Sequence, residues 1–109
     1  MARGSWKEIH QVFASALSHN EYGTLADKML VLSKHLEKNL DLKGMVQGTS
    51  LLTLTFLLPD SSNSLHVIWE HDDVYKLYAY GNEGIVQSPR LIRLSQAVRA
   101  IDEYRQQFS

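Results

Sequence analysis

Two hydrophobic periods follow one another along the chain. Ser5-Trp6-Lys7-Glu8 has the form of a capping box, a serine with a glutamate three residues on. Behind it Ile9, Phe13 and Ala16/Leu17 recur at helical spacing and predict a first helix running to Ser18. His19 to Gly23 breaks the pattern, and Thr24 is placed to cap a second helix. Leu25, Met29, Leu32, Leu36 and Leu40 form one stripe of that helix, with Lys28, Lys34, Glu37 and Lys38 mostly off it. Gly44 stands where a C-terminal cap would end the run.

From Met45 the period falls to two. Leu52, Leu54, Phe56 and Leu58 alternate with Thr53, Thr55 and Leu57; Leu65, Val67 and Trp69 alternate with His66, Ile68 and Glu70. Tyr75, Leu77 and Ala79 alternate with Val74, Lys76, Tyr78 and Tyr80. Pro59 to Asn63, His71 to Asp73 and Gly81 to Gly84 are turn clusters, so the strands are expected to form an antiparallel meander. Gly48 interrupts a shorter run as a bulge or a turn, and Ile85-Val86-Gln87 reads as a short edge strand. Ser88-Pro89 reads as the start of the last helix, serine at the cap and proline at the first helical position. Leu91, Leu94, Val98, Ile101 and Phe108 supply its stripe. The expected fold is a single α+β domain over residues 1–109 in two layers. It has two N-terminal helices, a meander of three to four strands and one C-terminal helix, with the helices on one face of the sheet.

Burial selects the register, because a slip of one residue turns a strand over. Leu58 against Leu65 brings Phe56 to Val67 and Leu54 to Trp69; Trp69 against Tyr75 brings Val67 to Leu77 and Leu65 to Ala79. The other face then carries the rows Leu57–His66–Tyr78, Thr55–Ile68–Lys76 and Thr53–Glu70–Val74, with Tyr80 extending the edge. This face mixes aromatic, aliphatic and charged groups. Such a mixture suits an ordinary solvated sheet face, a flat protein-binding patch, or a face covered by the first helix.

Composition narrows the chemistry. The 109 residues contain no cysteine, which excludes disulfides, thiolate metal sites and cysteine nucleophiles, and fits a reducing compartment. The first residues lack the apolar core of a secretory signal, and no apolar run approaches the ~20 residues needed to span a bilayer. The expected location is therefore the cytoplasm, with no membrane partner. The formal net charge of −1 argues against nucleic acid, which calls for a basic footprint. The charge is uneven: residues 51–89 hold one base against five acids, and residues 90–109 hold four arginines against two acids. The sheet is thus read as acidic and the last helix as mildly basic.

No phosphate-cradling loop, nucleophile elbow or dinucleotide fingerprint occurs. Glu70-His71-Asp72-Asp73 is the densest titratable group, but it lacks the spacing of a calcium loop and reads as a turn. His10, His19 and His35 make no helical metal-ligating pair. No catalytic residue, metal or cofactor is expected. The expected function is a small non-catalytic interaction module, an adaptor, inhibitor or immunity-like regulator. Its surface would be His66, Ile68, Glu70, Lys76, Tyr78 and Tyr80, and an acidic sheet would steer a basic protein partner to it. Homodimerisation through this face or the last helix is a second reading. A third is a small-ligand or enzymatic site between helices and sheet, near His66 or His71.

Overall fold

A computed structural model describes residues 2–59 and 61–108. The first helix, α1 (Trp6–Ser15), starts on the expected capping box: Ser5 Oγ accepts from Glu8 N–H at 3.2 Å and the Glu8 carboxylate accepts from Ser5 N–H at 3.2 Å. It buries Ile9 and Phe13 and ends three residues short of Ser18. Helix α2 (Gly23–Asn39) buries Met29, Leu32 and Leu36 of the predicted stripe. Gly44 does not end it. The chain leaves the helix at Leu40, and Gly44, at φ +88°, serves the turn into the sheet instead.

The sheet has seven antiparallel strands: β1 (Ala2–Arg3), β2 (Val46–Ser50), β3 (Thr53–Leu57), β4 (Ser64–His71), β5 (Val74–Gly81), β6 (Gly84–Ile85) and β7 (Arg90–Arg93). The first six are neighbours in order; β7 pairs with the start of β5, and β6 with its end. Gly48 lies within β2, opposite Thr55, and neither bulges nor turns the strand.

Two elements depart from the pattern-based expectation. The segment after Ser88-Pro89 is not helical: Arg90 to Arg93 pair with Leu77 to Val74, burying Ile92 and leaving Leu91 exposed. An extended strand wins here over the helical signal because β5 offers an open edge that must be paired. A short 3₁₀ turn (Leu94–Gln96) follows, and α3 (Ala97–Phe108) completes the chain. The start signal was Gln96, whose side chain accepts from Arg93 N–H at 3.0 Å.

The second departure is a register shift. Between β4 and β5 the expected register holds, with Trp69 on Tyr75, Val67 on Leu77 and Leu65 on Ala79. Between β3 and β4 it moves by two residues: Phe56 faces Leu65 and Leu54 faces Val67. A tighter turn causes the shift, for Leu58 N–H bonds the Asn63 carbonyl at 3.2 Å. Helix α3 holds that turn from its last carbonyl, where Phe108 accepts from Asn63 Nδ2 at 3.0 Å and Ser61 Oγ at 3.2 Å. A shift by two preserves which face each residue takes, so the same side chains stay in the core.

All three helices cover one face. Ile9 and Phe13 of α1, Met29, Leu32 and Leu36 of α2, and Ile101 and Tyr104 of α3 join Leu54, Phe56, Leu65, Val67, Tyr75, Leu77 and Ile92 of the sheet in one cluster. Trp69 packs against this cluster, partly buried, and its backbone N–H approaches Met29 Sδ at 3.3 Å. No helix of the described chain is long and apolar enough to cross a membrane.

Candidate functional site: the open face of the sheet

The face turned away from the helices is built by strand alternation alone. Its first row runs Val46–Leu57–Ser64–Tyr80–Ile85 across five strands. A second runs Gly48–Thr55–His66–Tyr78, and a third joins Ile68, Lys76 and Leu91. Four of the six expected residues, Ile68, Lys76, Tyr78 and His66, therefore stand on adjacent positions of β4 and β5. Tyr80 stands one row on. Glu70 falls at the irregularity between Trp69 and His71 and reaches back to Lys76, at 3.9 Å.

The centre of this face is aromatic. The His66 ring stacks on Tyr78 with centroids 5.2 Å apart and lies 5.5 Å from Tyr80. Ser64 Oγ sits 2.8 Å from His66 Nε2 and fixes the ring's rotation. Burial between the tyrosines draws the His66 pKa below 6.5, because the charged imidazolium loses hydration there. Burial, with the neighbouring Tyr80 behind it, also raises the pKa of Tyr78 above 10.0. Tyr80 is 45% exposed, and Ile85 beside it and Val46 at the other end of the same row are exposed as well. Thr55, next to His66, is buried, and its Oγ1 finds no hydrogen-bond partner among the described residues.

Charge is distributed differently from the linear count. Asp73 takes Arg93 at 2.8 Å, and Glu70 takes Lys76. Asp72 lies 3.2 Å from His71 at the β4–β5 turn, Glu83 stands in the next turn, and Asp60 lies outside the described residues. Among the described residues, the acids of segment 51–89 thus do not gather into one patch. The four C-terminal arginines are likewise paired: Arg90 and Arg99 with Glu103 at 2.7 and 3.3 Å, Arg93 with Asp73, and Arg105 with Asp102 at 3.0 Å. Arg90 and Arg93 stand on a strand, not on the last helix, so the expected basic helix is dispersed too.

Glu70 turns to Lys76, Asp73 to Arg93, and His71 and Asp72 to each other, and no three His, Asp or Glu side chains among the described residues converge as metal ligands. His66 faces away from the helices and His71 is exposed at a turn, so neither lies between helices and sheet.

One constellation escaped the sequence reading. Ser33 Oγ lies 2.9 Å from His10 Nδ1, and His10 Nε2 lies 3.2 Å from the Glu37 carboxylate. Hydroxyl, imidazole and carboxylate in line are the parts of a nucleophile relay. Here Ser33 is 0% exposed in the middle of α2, and its hydroxyl donates to the Leu30 carbonyl at 3.0 Å. The Ser33 hydroxyl is thus closed off as a nucleophile, and the surrounding helical amides are committed to the helix and leave no N–H to hold an oxyanion. The chain of groups instead clamps α1 to α2. Its only sequence signal was a serine beside Leu32 on the buried stripe, which needs a polar partner when buried.

Compared with protein-family models, curated proteins and solved structures, the chain matches none.

Proposed function

We propose that the chain is a small non-catalytic interaction module, an adaptor, inhibitor or immunity-like regulator, that receives another protein on the open face of its sheet. The observation that carries this reading is the His66–Tyr78–Tyr80 cluster, laid across two central strands with no helix above it. Stacked, half-buried rings lose little side-chain entropy when covered, and their hydroxyls remain available for hydrogen bonds at a contact. Ile68 and the Glu70–Lys76 pair border the rings, giving an apolar and aromatic centre with a polar margin.

The partner that fits is a protein presenting arginine or lysine side chains. Such cations are attracted to the faces of tyrosine rings, each contact contributing about 0.5–1 kcal/mol or more once water is excluded. This basis for a basic partner is ring chemistry, not an acidic field. A chain without cysteine suits a reducing compartment, and we place the encounter in the cytoplasm.

The test is affinity capture from the native cell with the wild-type chain and with a Tyr78→Ala/Tyr80→Ala variant, each read by mass spectrometry. The reading requires a protein that the wild type retains and the variant loses, while both unfold at the same temperature. Equal retention by the two chains overturns it.

A further inference from the structure

Backbone hydrogen bonds alternate in direction along an antiparallel strand, so one bond fixes the direction of the others. Leu94 N–H bonds the Asp73 carbonyl at 3.3 Å, next to the Arg93–Val74 pair. Ile92 and Arg90 therefore turn their backbone groups toward Tyr75 and Leu77, while Leu91 and Arg93 turn theirs away from β5. Val86 N–H, on the Ala79 carbonyl at 3.1 Å, agrees with the same alternation in β5.

The outer edge of β7 is solvent-exposed and nearly bare of donors. Arg93 N–H is taken by Gln96 Oε1 at 3.0 Å, and Pro89 has no N–H to give. Leu91 keeps both an N–H and a carbonyl, with no partner for either among the described residues. Its side chain is 58% exposed, where an edge built to repel pairing commonly carries a lysine.

We infer that two copies pair β7 with β7 antiparallel about a two-fold axis at Leu91, joining their sheets edge to edge. Side chains keep their faces in three registers centred on this strand: Leu91 against Pro89, Leu91 or Arg93 of the second copy. Against Pro89 or Arg93 the Leu91 carbonyl meets no free N–H. Leu91 against Leu91 lets both groups bond, each N–H to the other copy's carbonyl. That register also sets Arg93 opposite Pro89, so no donor is stranded, and Arg90 opposite Ile92, so no like charges face each other. Arg90 and Arg93 are moreover already paired with Glu103 and Asp73. An isologous contact needs a patch that complements itself, and this edge does so in one register. The edge is separate from the Tyr78–Tyr80 cluster, and the two readings stand or fall independently.

Sedimentation velocity of the full chain over a concentration series, with amide exchange read alongside, tests the inference. The wild type is expected to pass from 12.4 kDa toward twice that mass as concentration rises. Over the same range exchange at the Leu91 amide should slow about tenfold or more, because its N–H is bonded only in the dimer. Leu91→Lys puts two like charges on the axis, and Leu91→Pro removes the donor; each should weaken association about tenfold or more. Neither breaks a hydrogen bond within the chain, so the monomer should melt as the wild type does. Tyr78→Ala/Tyr80→Ala should associate as the wild type does. A wild type that stays monomeric to about 1 mM overturns the inference. So does association that survives both substitutions at Leu91, or that leaves the Leu91 amide exchanging freely. Protection of that amide only when a different captured protein is bound would also overturn it, assigning the edge to a foreign strand.

Discussion

Three hairpins of this sheet turn on two residues each, and two of them hold the first of the pair at positive φ: Leu51 at 55° and Asp72 at 48°. Asp72 is a residue that tolerates this region, because its short polar side chain can bond locally. Its turn is also fastened to the rest of the fold. The Asp72 carbonyl accepts from Trp69 Nε1 at 2.8 Å, and the Asp73 carbonyl accepts from Leu94 N–H at 3.3 Å. Asp73 further holds Arg93 at 2.8 Å. Leu51 has no such compensation. Asp72 thus has local reasons in the folded chain that Leu51 does not share.

If the β4–β5 turn is locked as described, the largest loss comes from removing its lock. Trp69→Ala should cost about 3 kcal/mol, since the indole both packs on the core and closes the turn. A urea midpoint that falls with an unchanged slope would confirm it. A loss below about 0.5 kcal/mol would put the two turns on an equal footing and dissolve the contrast.

Next in size is Tyr75, which begins the same hairpin's return strand. It is 1% exposed, and its hydroxyl donates to the Lys28 carbonyl at 2.7 Å. Burial, helped by the charges of Asp27 and Asp73, pushes its pKa up to about 12 from 10.0. The folded state therefore holds this proton more tightly than the unfolded chain. Its stabilisation is complete below pH 10 and is lost as the pH climbs toward about 12. Tyr75→Phe should flatten that alkaline loss in denaturant titrations, while costing about 1 kcal/mol at neutral pH through the abandoned carbonyl.

The same contrast explains what the amino-acid pattern could and could not convey. Period-two alternation in β4 and β5 was enough to assign Trp69, Val67 and Leu65 to the helix side and His66, Ile68 and Tyr78 to the other. That assignment depends only on parity. The β3 register was not legible, because it hangs on Asn63 and Ser61 reaching the Phe108 carbonyl 45 and 47 residues away. Strand β7 was hidden for a related reason: Ser88-Pro89 is as good an opening for a helix as for an edge strand, and only the vacancy beside β5 decides. The division of residues between the two faces was thus legible, and the hollow beside the β2–β3 turn was not. Ala16, Tyr22 and Leu25 meet Thr53 and Ile68 only through the tertiary fold, and Leu51's conformation leaves no periodic trace.

Exchanging the turn chemistry sharpens the comparison at a smaller scale. Asp72→Leu should destabilise by about 1 kcal/mol, importing the strain of the other hairpin. Leu51→Gly should stabilise the monomer by less than about 1 kcal/mol, because glycine's freedom in the unfolded chain offsets part of the relief. Opposite signs in chemical denaturation are required; two losses would mean that Leu51 serves its own fold.

The smallest effect is a pH dependence of the open face. His66 stands on that face. Because burial holds the His66 pKa below 6.5, the unfolded chain takes up the proton first as the pH falls. Stability should therefore decline below pH 6.5 and level off once the folded ring is also protonated. His66→Gln, which can still bond Ser64 Oγ but cannot titrate, should remove that decline. A partner covering Tyr78 and Tyr80 would bury the ring further, so its capture should weaken over the same acid range and regain pH-independence in His66→Gln.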